Sequence, residues 1–187
     1  CFGNNFSDEK FTSIIKIIST NNKLFPGAAR NFGCKEAKQE YISFLDVNTI
    51  PNLDWLSIAF KNVINSKNRI VFGSTRYIAK SNLEKLFIYA TYGDKPVKTL
   101  PGTILHADVL REIGLFLPHI RAAEDTDWLI RAEQFSYFQN ENETSVLSYS
   151  AMPENIIKLS RKWFRNYRSC SPVVFHLESH KSIYFLA

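Results

Sequence analysis

Short apolar runs alternate with helix-patterned segments along this chain, and that alternation restricts its fold more than any other feature. Tyr41–Leu45 ("YISFL") reads as a buried strand and Leu53–Ile64 as a helix capped by Asn52. Arg69–Phe72 reads as a strand and Asn82–Tyr92 as a helix. A loop holding Gly93, Pro96, Pro101 and Gly102 then leads to a short strand, Thr103–His106, and a brief helix, Asp108–Ile113. Glu124–Phe135 has a helical pattern, Ser145–Tyr149 a strand pattern, and Pro153–Tyr167 forms a basic helix. Upstream, Ser7 caps an apolar stripe within Asp8–Ser19, and Pro26 precedes a short Ala-rich helix. The tail from Ser171 onward fits strand or helix equally. Such alternation predicts an α/β fold with a mostly parallel central sheet flanked by helices. In sheets of that kind, ligands bind beyond the carboxyl ends of the strands.

The 187 residues amount to a single domain spanning 1–187. Hydrophobic residues make up 45% of them, enough for a continuous core and too many for a disordered chain. No apolar run approaches the roughly 20 residues that cross a bilayer. Cys1, Cys34 and Cys170 are far apart and form no CxxC pair, so neither a disulfide framework nor a zinc knuckle is predicted. With no leader pattern at the start, a reducing, cytoplasmic setting is expected. The net charge of +5 suits nucleotides, acidic membrane or plain solubility. The basic residues do not interleave into a nucleic-acid module, so no nucleic-acid partner is expected.

Two acidic clusters carry the chemistry. In Asp46-Val47-Asn48, residues two apart on an extended segment face the same side. Oxygen ligands at that spacing suit a hard cation, Mg or Mn, that would hold phosphates. The same residues also serve as an Asx turn ending a strand. In "AAEDTDWLIRA", Glu124, Asp125 and Asp127 fall in the first turn of a helix, where carboxylates are favoured by the dipole. Asp127 and Arg131 have the i,i+4 order of a surface ion pair. Three acids in four residues exceed what capping needs, and one of them is a candidate general base. His176 and His180, four apart, lack an evident third metal ligand.

Together these stretches resemble family-two inverting glycosyltransferases, which have the GT-A fold. "PGAARNFGCKEAKQEYISFLDVNTIPNLDWL" is similar to that family's Ala-Arg-Asn-x-Gly helix, its "FLDxD" strand end and its following Pro and "dWL" helix. "GTILHADVLREIGLFLPHIRAAEDTDWLIRA" is similar to its acceptor loop and Glu-Asp motif. The resemblance implies a GT-A-like nucleotide-diphospho-sugar transferase fold. Residues 1–98 would form the nucleotide-binding half and residues 99–187 the acceptor half. It implies that Asp125 is the catalytic base, and that Asp46, Asn48, Arg30 and Asn4 bind the donor. Glu124, Asp127, Gly102 and Thr103 would lie on the acceptor side. A divalent cation, Mg or Mn, would sit at Asp46 and Asn48. The partners implied are a nucleotide-sugar donor and a saccharide or lipid-linked acceptor, as in polysaccharide biosynthesis.

Three departures from the family pattern qualify this. The family's opening strand and loop are absent before Cys1, so the domain is expected to be N-terminally incomplete. Asn48 stands where the family places a metal-binding Asp, which removes a full charge from that site. "VLSYSAMPEN" carries no His where the family often supplies one. These departures motivate an alternative, a non-catalytic glycosyltransferase-like binding domain that has lost donor binding. The basic helix over 154–168 is expected to neutralise diphosphate, to lie peripherally on an anionic membrane, or to pack a stripe of Ile156, Leu159, Trp163 and Tyr167 on the core.

Overall fold

The computed structural model describes residues 16–67, 69–135 and 146–170. Asn4, the stripe at residues 11–15 and the His176/His180 pair lie outside the described residues. Residues 16–19, the end of the expected first helix, are not helical.

Six helices and five strands follow in order among the described residues: α1 Pro26–Glu36, β1 Tyr41–Ser43, β2 Thr49–Ile50, α2 Trp55–Asn65, β3 Ile70–Tyr77, α3 Asn82–Thr91, β4 Val97–His106, α4 Ala107–Ile113, α5 Glu124–Phe135, β5 Val146–Tyr149 and α6 Ile156–Cys170. Local chemistry explains several boundaries. Pro26 fits the first turn of α1, where its missing N–H is not needed. The Ser81 hydroxyl accepts from the Glu84 N–H, and the buried Glu84 carboxylate accepts from the Lys80 N–H, which closes the start of α3. The start of α2 falls two residues later than the sequence pattern suggests, because Leu53 and Asp54 form a turn.

The strands form one sheet in the order β1-β4-β3-β5-β2. The fold is α/β, but the sheet is mixed rather than mostly parallel. Only β3 and β5 run parallel, while β1–β4, β3–β4 and β2–β5 are antiparallel. The physical reason lies in the β3–β4 connection. Thr75 pairs with Val97, so the chain leaves β3, makes α3 and returns beside its own starting point. Here α3 is the insert of a long hairpin and not a crossover.

β4 is also longer than expected, because Pro101 and Gly102 lie inside it. The register shifts between Val71 and Gly73 at that point. Gly102 has φ +87°, and a Cβ there would stand 2.5 Å from Leu147 Cδ1, so only glycine closes this bulge.

Side-chain alternation divides the core between the two sheet faces. Ile70, Phe72, Leu100 and Leu105 pack with Val109, Leu110 and Ile113 of α4, with Trp128 and Ala132 of α5, and with Phe44 and Phe116. Val71, Ile104 and Leu147 pack on the other face against Trp55, Ala59 and Val63 of α2. A third cluster joins Phe87 and Ile88 of α3 to Met152 and to Leu159 of α6, with Tyr77, Tyr92 and Tyr149 packed against it. These layers set the end of β1, the start of α5 and the ends of β3 and β5 around one mouth.

Candidate functional site

Asp46 sits in the turn that follows β1. The Thr49 hydroxyl donates to the Asp46 carbonyl (2.7 Å) and accepts from the Asp46 N–H (3.1 Å), so the turn is closed on itself. The Asp46 carboxylate projects outward and accepts from an Arg30 guanidinium nitrogen at 3.0 Å. Arg30 lies on α1, and its other terminal nitrogen donates to Glu124 Oε1 at 2.5 Å. One half-buried guanidinium therefore joins the first acidic cluster to the second. Burial works against the charge on Arg30, yet Asp46 and Glu124 outweigh it and raise the pKa. Burial and the adjacent Asp125 push the Glu124 carboxyl up from its usual range, with Arg30 opposing.

Two further residues hold α1 in place for this bridge. A Cβ at Gly27 would stand 2.2 Å from the Leu117 carbonyl oxygen and 3.3 Å from Glu124 Cβ, so α1 approaches the start of α5 closely only because residue 27 is glycine. Asn31 grips the backbone of Phe116 at both ends: its Nδ2 donates to the Phe116 carbonyl (2.8 Å) and its Oδ1 accepts from the Phe116 N–H (2.9 Å). Immediately before Glu124, Ala123 has φ +67°, a left-handed conformation that costs an L-residue roughly 1–2 kcal/mol. Such strain concentrates at functional sites.

Asp125, one residue on, is half-buried, and its Oδ1 accepts from the Thr126 N–H at 2.8 Å. Its charge acts on Arg30, Glu124, Tyr77 and Tyr92. Asp127 points elsewhere. It is buried and pairs with Arg131 at 2.8 Å, and Arg131 in turn donates to the carbonyls of Ile113 and Leu115. The i,i+4 pair read from the sequence is thus formed, and its role is to anchor the loop after α4.

Three tyrosines complete the mouth. Tyr77 and Tyr149 are paired residues at the carboxyl ends of the parallel strands β3 and β5. Tyr77 stacks on Tyr92 with ring centroids 3.7 Å apart and meets Tyr149 edge-on at 5.3 Å. Burial raises the pKa of all three phenols; Tyr92 adds to the shift of Tyr77, and Tyr92 and Asp46 add to that of Tyr149. The Asn48 carboxamide acts the other way on the Tyr149 phenol and lowers its pKa, while the Tyr149 hydroxyl donates to the Ala151 carbonyl at 3.3 Å. Neither this trio nor Asn31 is marked in the sequence, because no spacing links positions so far apart in the chain.

Gly102 and Thr103 lie within β4 and not on an open surface. Thr103 is fully buried, its hydroxyl donating to the Thr99 carbonyl and accepting from the Gly73 N–H. At Asp46 and Asn48 the chain offers one carboxylate already paired with Arg30 and one neutral carboxamide. Among the described residues, no three His, Cys, Asp or Glu side chains converge as a metal site. This donor set does not fit a resident divalent cation. A cavity of about 770 Å³ lies elsewhere, between α1, β1 and α4, lined among others by Cys34, Ile42, His106 and Leu110. None of the acids at the mouth lines it.

The chain is 31% identical over 136 residues to the poly(ribitol-phosphate) beta-glucosyltransferase of Bacillus spizizenii, an overlap of 66% of this chain and 21% of that protein. It therefore spans about a fifth of that relative's length. The model of the family described as glycosyl transferase family 2 matches residues 5–131, a span that includes Arg30, Asp46, Asn48, Glu124 and Asp125. On that match, which covers most of the chain, the protein belongs to glycosyl transferase family 2.

Proposed function

We propose that the chain forms the GT-A-like domain of an inverting glycosyltransferase, with the Asp46–Asn48 turn on the donor side and Asp125 as the base. The observation that carries this reading is the Arg30 bridge, which ties Asp46 to Glu124 and so holds Asp125 at the mouth where the donor turn opens. In the reaction, an acceptor hydroxyl gives its proton to the Asp125 carboxylate. Its oxygen forms a bond to the anomeric carbon of the sugar. The bond from that carbon to the diphosphate oxygen breaks on the opposite face, and its electron pair leaves with the nucleoside diphosphate. A base so placed contributes about 10²–10⁴-fold. Arg30 and Glu124 fix the geometry, and the tyrosine trio walls the space beside Asp125.

The donor would be a nucleotide-sugar and the acceptor a saccharide or lipid-linked chain. The glucosyltransferase relative favours a glycosyl donor without naming it for this chain. No step is assigned to a divalent cation, since the described ligands do not build a site for one. Peripheral membrane contact would come through α6. Of the stripe expected to pack on the core, only Leu159 is buried; Ile156, Trp163 and Tyr167 are exposed, as are Ile157 and Phe164 outside it, beside Arg161, Arg165 and Arg168. Such an arc suits an anionic interface. No helix among the described residues is long and apolar enough to cross a membrane.

The neutral carboxamide of Asn48, in the turn whose Asp46 is already paired with Arg30, favours a second reading, a non-catalytic binding domain that has lost donor binding. The two separate in one experiment: titration of UDP, GDP and dTDP, followed by assay of sugar release from the matching donors. Binding with release supports the enzyme, whereas failure of every nucleotide to bind overturns the enzyme and supports the second reading.

A further inference from the structure

We infer that Lys162 is the cation that receives the departing diphosphate, reaching from the inner face of α6 into the mouth of the site. This inference rests on the glycosyl-transfer reading above. α6 is tied down at two points on one face. Near its start, Leu159 is buried against Phe87, Ile88 and Met152, the cluster on which Tyr77, Tyr92 and Tyr149 pack. Near its end, the Ser169 hydroxyl accepts from the Arg121 N–H at 2.7 Å, in the loop that leads to Glu124 and Asp125. At 1.5 Å per residue these anchors stand roughly 15 Å apart. The helix therefore runs from the tyrosine trio to the loop before the base, alongside the mouth.

Residues 162 and 166 share the face of Leu159 and Ser169, at helical spacings of three and four. Burial agrees: Lys162, Asn166 and Ser169 are half-buried, whereas Arg161, Trp163, Phe164 and Arg165 are exposed. Among the described residues no carboxylate pairs with the Lys162 ammonium. Burial and the neighbouring Arg165 both lower its pKa. A half-buried lysine without an acid partner is costly unless an anion meets its ammonium. The diphosphate gains negative charge as its bond to the anomeric carbon breaks, and a fixed cation at that point stabilises the transition state. The described residues provide no cluster of metal-ligating side chains to do the same.

The test compares Lys162→Met, Lys162→Arg and the exposed-site control Arg161→Ala in the full chain. UDP, GDP and dTDP are titrated by calorimetry, and the corresponding nucleosides are measured by competition. Lys162→Met is expected to weaken the bound diphosphate about tenfold, leave the nucleoside within twofold, and lower turnover about 10²-fold. Lys162→Arg should retain most of the affinity, and Arg161→Ala should match the wild type. Circular dichroism establishes that each variant is folded, and an unfolded methionine variant shifts the comparison to Lys162→Gln. Equal loss of diphosphate and nucleoside, or no loss at all, overturns the role of Lys162 while leaving the transferase reading intact. If the wild type binds no nucleoside diphosphate, the transferase reading falls and the role of Lys162 falls with it.

Discussion

Replacing Arg30 by methionine removes the contact that joins the two acidic clusters. Methionine keeps much of the apolar stem and removes the charge. Two arms are lost, and their burial shows that they are unequal. The Asp46 side chain is 43% exposed, so that arm contributes at most about 1 kcal/mol. The Glu124 side chain is only 5% exposed and the Arg30 side chain 16%. Breaking that arm leaves a buried carboxylate without its partner, a loss of about 3–5 kcal/mol. The contact of the guanidinium with the Phe116 ring, 5.7 Å from its centroid, adds about 0.5–1 kcal/mol.

The loss must also depend on pH, with a definite sign. Burial and Asp125 already raise the Glu124 pKa in the folded protein, and Arg30 opposes them. Without Arg30 the folded-state pKa rises further. The folded state then holds its proton where the unfolded state has lost it, so stability falls as pH rises through that window. Urea unfolding at pH 5 and pH 8 should show a deficit of at least about 3 kcal/mol at pH 8 and a smaller one at pH 5. Adding Glu124→Gln to the Arg30→Met chain should restore stability at pH 8. A deficit below about 1 kcal/mol, or equal deficits at the two pH values, would refute the bridge as the site's main tie.

Three more outcomes follow from the same geometry. Asn31→Ala removes both hydrogen bonds to Phe116, should cost about 1–3 kcal/mol, and should speed hydrogen exchange at the Phe116 amide. Gly27→Ala drives a Cβ against the Leu117 carbonyl, should cost about 1–3 kcal/mol, and should lower any transfer activity by displacing Arg30 from Glu124. The Cys34 thiol is pushed up to about 11 by burial, so less of it is thiolate at pH 8; in a chain carrying Cys1→Ser and Cys170→Ser, iodoacetamide should modify it about 10²-fold more slowly than an exposed thiol. By the same shift, stability should fall as pH rises from the ordinary thiol range toward 11.

Much of the site was legible because its acids lie in short, punctuated segments. Asp46 ends an apolar run, and Glu124 and Asp125 open a helix whose apolar positions continue to Trp128 and Ala132. The pair of Asp127 with Arg131 could be read from spacing alone, and it forms. What spacing does not carry is contact between segments. The bridge from Arg30 to both clusters, the grip of Asn31 on Phe116 and the tyrosine trio all join residues with no periodic relation. Strand direction was lost for a similar reason: a helix between two strands suggests a crossover, and nothing in residues 78–96 signals that α3 is instead the insert of a hairpin. Pro101 and Gly102 read as loop punctuation, although in β4 they make a bulge that Gly73 and Leu147 enclose. The two-residue strand β2 is too short for any pattern to mark.

The central claim is that Asp125 removes the acceptor proton at the mouth shared with the donor turn. Its most direct test is Asp125→Asn, studied with whichever nucleotide-sugar the wild type turns over. Asparagine keeps the size and the hydrogen bond to the Thr126 N–H but cannot take the proton. Turnover should fall about 10²–10⁴-fold while donor affinity stays within about twofold. Turnover close to wild type, with the variant folded and the donor bound, would contradict the account.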